Sequence, residues 1–185
     1  MSAKRIIFLI GGRSKSGKDT LADYIRDKYR FTKYAFADEL KKYTALKYDI
    51  ENNIFFTQQG KSDILIYNGS FISYRDLLIK ESIEKKILDK YYWAKKVSRK
   101  LYNNENVVIS DFRFEEEYDH ICSCFDYYNS DIVTINVYRK ETDIPTDEPS
   151  ESSLKSFKFD YTLENFTGKK GIMFNKFDEI ISSII

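Results

Sequence analysis

The chain has 185 residues, enough for one ordinary domain with a sizeable core, and its 30 basic and 29 acidic side chains nearly cancel to a net charge of +1. That balance excludes a protein drawn to polyanions by bulk charge, while leaving room for a local basic site. No apolar run approaches the roughly 20 residues that span a bilayer, and the N-terminal one leads straight into a glycine-rich turn, so a cytoplasmic protein with no membrane partner is expected.

Arg5 to Ile10 reads as a central parallel strand, continuously apolar because both faces are covered. Gly11-Gly12-Arg13-Ser14-Lys15-Ser16-Gly17-Lys18-Asp19-Thr20 follows, and from Gly12 onward it fits G-x-x-x-x-G-K. A helix over Lys18 to Tyr29 comes next, with Leu21, Ala22, Ile25 and Tyr29 at helical spacing. Strand, glycine-rich turn, helix is the context of a phosphate-binding loop. Its backbone N–H groups cradle an anion, the helix dipole adds to them, and Lys18 reaches the outer phosphates of a nucleotide. Asp19 stands where Ser or Thr normally offers a hydroxyl to Mg²⁺. A carboxylate is also a hard oxygen ligand, so the metal is not forbidden.

A short strand is expected at Tyr34-Ala35-Phe36-Ala37, then a helix whose first turn holds Asp38 and Glu39. Asn52 to Phe71 reads as a long irregular loop, with Gln58, Gln59, Gly60 and Asn68-Gly69 as turn signals. From Ser73 to Leu101 the helical pattern is long enough for two helices or one bent one. Strand three is Val107 to Ser110, ending at Asp111, before an acidic helix from about Phe114. Strand four runs from Ile132 to Tyr138 and ends at Arg139. Lys140 to Ser153 holds both prolines and reads as a loop. A fifth strand at Tyr161 to Leu163 and a terminal helix with Phe174, Phe177, Ile181 and Ile184 complete the chain. Five apolar strands alternating with helices predict a three-layer α/β domain with a parallel sheet.

Asp111 sits beyond the carboxyl end of a strand, where ligands collect in open α/β sheets; it reads as a Mg²⁺ carboxylate or as a helix N-cap. Arg113 and Arg139 suit phosphate clamping through their planar donors, or surface ion pairs. Arg75 is a further candidate phosphate binder near a helix start. Tyr91-Tyr92-Trp93 reads as core or as a stacking platform for a base. Cys122, Cys124 and His120 are too few ligands for zinc and read as part-buried thiols beside a structural histidine.

Taken together, these pieces resemble the deoxynucleoside monophosphate kinases of T-even-type bacteriophages and their viral relatives. The matching segments are Gly12 to Thr20, Phe36-Ala37-Asp38-Glu39-Leu40-Lys41, Tyr74-Arg75-Asp76-Leu77-Leu78, Tyr92-Trp93-Ala94, Val108 to Glu117, Arg139 and Asp147-Glu148-Pro149-Ser150-Glu151. The resemblance covers nearly the whole chain, and Gly-Lys-Asp-Thr is itself a trait of that family. It implies a phosphate-loop kinase fold over residues 1–185, with a five-stranded parallel sheet of order 2-3-1-4-5. It also implies a monophosphate-binding insertion over about 38–100 and a lid over about 139–153. Implied as well are ATP and Mg²⁺ as cofactors and a nucleoside monophosphate as small-molecule substrate, with no nucleic acid and room for a homodimer. In that scheme Gly12, Arg13, Ser14, Lys15, Ser16, Gly17, Lys18, Asp19 and Thr20 hold the donor, and Asp19 and Asp111 the metal. Lys18, Asp111, Arg113 and Arg139 form the catalytic centre; Asp38, Lys42, Arg75, Trp93 and Glu151 belong to the acceptor side. The chain departs from the family pattern at Lys86, where arginine is expected, and at Glu148, near a missing histidine. Animal phosphomevalonate kinases look similar too, so a small phosphorylated metabolite is the alternative acceptor. A nucleotide-binding module without turnover is a third reading, against which the intact Lys18, Asp111, Arg113 and Arg139 stand.

Overall fold

The computed structural model describes residues 4–67, 69–103, 106–125, 130–142 and 153–185. Strand β1 (Arg5–Gly11) runs into the glycine turn, and α1 (Lys18–Tyr29) starts where the sequence places it. Then come β2 (Thr32–Tyr34), α2 (Phe36–Tyr48), a 3₁₀ turn (Asn52–Phe56), α3 (Gln58–Ser62), β3 (Ile64–Tyr67) and β4 (Ser70–Ser73). Helices α4 (Tyr74–Leu88) and α5 (Tyr92–Leu101) precede β5 (Val107–Phe112), α6 (Glu115–Phe125) and β6 (Ser130–Tyr138). After a 3₁₀ turn at Lys140–Thr142, β7 (Tyr161–Glu164) and α7 (Lys170–Ile184) end the chain.

The main sheet has the order β2-β5-β1-β6-β7, and every pairing in it is parallel. With the β3–β4 hairpin set apart, its strands taken in chain order read 2-3-1-4-5. Alternation along β1 builds two cores. Ile6, Phe8 and Ile10 pack on α1 and α7 through Leu21, Ile25, Met173 and Phe177; Ile7 and Leu9 pack on α5 and α6 through Val97, Leu101, Ile121 and Phe125. Phe8 is held between Phe31 and Phe177, each ring centroid 5.3 Å away. Among the described residues no helix is long and apolar enough to cross a membrane.

Two local expectations are corrected. The second strand ends at Tyr34, and Phe36 and Ala37 already belong to α2. The apolar run Tyr34 to Ala37 hides this boundary because Ala35, the N-cap, has no side-chain acceptor; Asp111 caps the helix from across the fold. Asn52 to Phe71 is not an irregular loop but a 3₁₀ turn, a short helix capped by Thr57 and the hairpin β3–β4, in which Tyr67 pairs with Ser70. The helical stretch after Ser73 takes the first of its two expected forms, two helices, with Asp89 as the C-cap of α4.

Candidate active site

The turn between β1 and α1 depends on its glycines. Gly12 has φ +130 and Gly17 φ +107, and a Cβ at either would lie 2.3 Å from Val137 O or Asn165 Nδ2 respectively. Ser16 N–H donates to Arg13 O at 3.2 Å, and Asn165 Nδ2 donates to Ser16 O at 2.8 Å, tying the loop to the segment after β7. Lys18 is buried, and its ammonium donates to Arg13 O at 2.6 Å, folded over the turn. Gly17 caps α1 without a side chain, so the positive end of the helix faces the loop. The Ser16 hydroxyl is buried and has no partner. A closed cradle with an orphaned hydroxyl suits an anion.

Three cavities surround this cradle. One, of about 440 Å³, is lined by Lys15, Gly17, Lys18, Asp19, Thr20, Arg139 and the Asn165–Lys170 segment. A central one of about 290 Å³ lies against Gly12 and Arg13, with Arg113, Arg139 and the rings of Phe112, Phe157 and Phe159 in its wall. The largest, about 780 Å³, opens on the α2 side between Asp19, Lys33, Asp38, Lys41, Phe56, Lys61, Ser110, Asp111 and Arg113. Arg139 lines the first two and Arg113 the last two, so the two arginines mark the ends of the central cavity. Arg139 is fixed by donating to Lys15 O at 3.3 Å and Thr167 Oγ1 at 3.2 Å.

The carboxylates behind Arg113 explain its placement. Asp111 accepts from the N–H groups of Phe36 and Ala37 at 2.7 and 2.8 Å, so one residue ends β5 and starts α2. Burial raises its pKa, while those two donors and Arg113 pull it down. Glu117, buried in the first turn of α6, reaches back to accept from the N–H groups of Arg113 and Phe114 at 2.9 and 3.1 Å. Burial, helped by the charge of Asp111, pushes Glu117 up to about 8. Ser153 Oγ donates to Arg113 O, so the Arg113 backbone is held at both its N–H and its carbonyl.

The α2-side cavity carries more cations than carboxylates, with Arg26, Lys33, Lys41, Lys61 and Arg113 against Asp19, Asp38 and Asp111. Burial lowers the pKa of Lys61, and the charges of Lys41, Arg75 and Arg113 lower it further. Lys61 thus lies in the field of three other cations, opposed by Asp19, a setting that favours an anion. Asp38 pairs with Lys41 at 2.8 Å, and the Lys41 ammonium lies 4.2 Å from the centre of the Phe56 ring.

The structure gathers Lys18, Asp19, Asp38, Asp111, Arg113 and Arg139 around the cradle and sets others apart. Arg75, on the first turn of α4, is exposed and joins through its effect on Lys61. Lys42 pairs with Glu39 at 3.6 Å and is not among the residues lining the α2-side cavity. Trp93 is buried, packed edge-on against Tyr43 and Tyr92, which is the core reading of that cluster. Glu151, and residues 143–152 of the expected lid, lie outside the described residues. Lys86 pairs with Glu116 at 2.9 Å, beside the Phe114 ring. His120 meets Ser98 Oγ at 3.0 Å and stacks on Tyr91, away from the loop. Sequence reasoning missed Asn165 and Glu117 as supports of the site. A Glu three residues into a predicted helix was a capping signal within reach; nothing local marks Asn165.

Comparisons with known proteins bear on the fold and the family. Residues 5–74 match the family model described as deoxynucleotide monophosphate kinase. Over 178 residues the chain is 31% identical to a protein of Acanthamoeba polyphaga mimivirus that carries the provisional name deoxynucleotide monophosphate kinase, covering 86% of this chain and 88% of that one. Among solved structures, TT1252 from Thermus thermophilus aligns over 99% of this chain and 100% of its own, with a TM-score of 0.54 at 13% identity. A provisionally named kinase from Chloroflexus aurantiacus aligns over 98% and 99%, with a TM-score of 0.51 at 9% identity. At such identities the two structures speak for the fold alone.

Proposed function

The chain belongs to the deoxynucleotide monophosphate kinase family, and we propose that it transfers the γ-phosphate of ATP to a deoxynucleoside monophosphate, giving the diphosphate and ADP. The observation that carries this reading is the row of three cavities around one phosphate cradle, joined at Arg139 and Arg113. ATP would occupy the cavity beside Asn165–Lys170, at the start of α7 (the α7-side cavity), its phosphates on the loop amides and Lys18. The acceptor phosphate would lie on the α2 side among Lys41, Lys61 and Arg113, with Arg75 nearby. The transferred group would then cross the central cavity between two guanidinium groups. Such chemistry needs positioning and charge neutralisation more than covalent help, and fixed arginines supply both.

Mg²⁺ fits as a partner of the nucleotide rather than of a protein cage. Among the described residues no cluster of three or more His, Cys, Asp or Glu side chains suits a metal by itself. Asp19 and Asp111 line the same cavity, and the hydroxyl of Ser110, which lines it too, is buried without a partner. One or two carboxylates with phosphate oxygens and water is the set Mg²⁺ prefers. When bound, the ion would offset charge on the phosphates, while Asp19 and Asp111 would orient it.

A second acceptor class keeps one observation in its favour. Of the aromatic residues that could offer a base a stacking face, Phe56 and the part-buried Tyr34 line the α2-side cavity, whereas Phe31 in its wall, Phe55 and Trp93 are buried in the core. The crowd of cations would also suit a small, multiply anionic metabolite such as phosphomevalonate. A dinucleotide joining adenosine to a deoxynucleoside through five phosphates tests the shared layout. It should bind far more tightly than ADP or the monophosphate, because it fills both outer cavities at once. Affinity no better than that of ADP would refute the contiguous arrangement.

A further inference from the structure

Asp19 poses an electrostatic problem. It replaces a neutral hydroxyl, lines both outer cavities and would face a multiply charged donor with a charge of the same sign. The structure carries its answer in Lys33. This lysine is the middle residue of the short strand β2, held there by pairing with Val108 of β5. Its ammonium reaches across to α1 and lies 3.2 Å from Asp19 and 3.0 Å from Asp23, one helical turn apart. Asp23 has a second cation, Arg26 Nη1 at 2.8 Å. The Lys33 side chain is 21% exposed against 77% for Asp19, so the cation is the anchored member and the carboxylate the open one.

We infer that Lys33 is the internal counter-ion that makes a carboxylate tolerable beside the phosphate cradle, and hence a positioning residue for the donor nucleotide. The inference rests on the reading that the α7-side cavity takes a nucleotide. Lys33 does not touch the phosphates in this account; it acts through Asp19. Without it, the Asp19 charge would repel the donor, most strongly when no metal is present to screen it.

The test is titration calorimetry of ADP in EDTA, with thermal melts of every variant. Lys33→Met should weaken ADP binding on the order of tenfold, and Lys33→Arg should stay within about twofold of the parent. Asp19→Ser alone should bind metal-free ADP more tightly than the parent, since Lys33 then adds attraction. In the Lys33→Met background, Asp19→Ser should restore binding to near the parent value, because the charge that needed a counter-ion is gone. A merely structural role for Lys33, holding β2 against α1, would not be mended by a second substitution. A double variant as weak as Lys33→Met, or an Asp19→Ser variant weaker than the parent, overturns the inference; the latter stands even if Lys33→Met fails to fold. Absence of ADP binding by the parent would instead overturn the donor assignment, and this inference with it.

Discussion

Glu117→Gln isolates the electrostatic cost built into the support of Arg113. The glutamine oxygen can still accept from the Arg113 and Phe114 N–H groups, so the α6 cap survives while the titrating charge is removed. In the folded protein burial and the nearby Asp111 raise Glu117 from the ordinary 4.5 to about 8, with Lys86 and the two N–H donors opposing them. The native state therefore keeps a proton that the unfolded chain has released between those values. Stability falls as pH rises through that window and levels off above it. At about 1.4 kcal/mol per unit the ceiling is near 5 kcal/mol, and coupling to Asp111 should leave about 1–2 kcal/mol expressed. For a chain of this size, each kcal/mol moves the melting temperature by about 2–4 °C. The assay is a series of calorimetric melts from pH 5 to pH 8.5. Both proteins should melt alike at pH 5, where Glu117 is neutral, and the Gln variant should lead increasingly toward pH 8.5. A gap that stays constant, or a Gln variant that melts lower at pH 8.5, would refute the reasoning.

Lys18→Ala should cut turnover on the order of a hundredfold or more with little change in the melt, since Lys18 serves the cradle and fills no core; steady-state kinetics beside a melt decide it. Lys61→Met should raise the acceptor KM on the order of tenfold and leave the ATP KM alone, which saturation curves for each substrate would show. Asp111→Asn turns one of the two acceptors at Phe36 and Ala37 into a donor, so a stability loss of about 1–3 kcal/mol is expected along with a higher Mg²⁺ requirement; a denaturant titration and a Mg²⁺ titration separate the two effects.

The glycine turn was legible because its requirements are local: a strand, two glycines that no Cβ could replace and a lysine opening a helix. The alternating core of β1 was legible for the same reason. What escaped was set by residues distant in sequence. The start of α2 is defined by Asp111, whose two roles as strand end and remote cap no local pattern distinguishes. The hairpin is short, and the apolar Ile64, Ile66 and Phe71 stay exposed on it, so its sequence lacks the apolar–polar alternation that marks a half-buried sheet. Trp93 and Arg113 both had two readings in the sequence. Trp93 lies buried against Tyr43 and Tyr92, and Arg113 lines the cavity against the cradle, two positions that their neighbours in sequence do not determine.

The central claim, phosphoryl transfer from ATP to a deoxynucleoside monophosphate, is met most directly by phosphorus NMR of the purified protein with ATP, Mg²⁺ and each candidate acceptor in turn. The account predicts matched appearance of ADP and a deoxynucleoside diphosphate with at least one of the deoxynucleoside monophosphates, and no product from phosphomevalonate. Turnover confined to phosphomevalonate, or ADP formed at the same rate with no acceptor present, would contradict it.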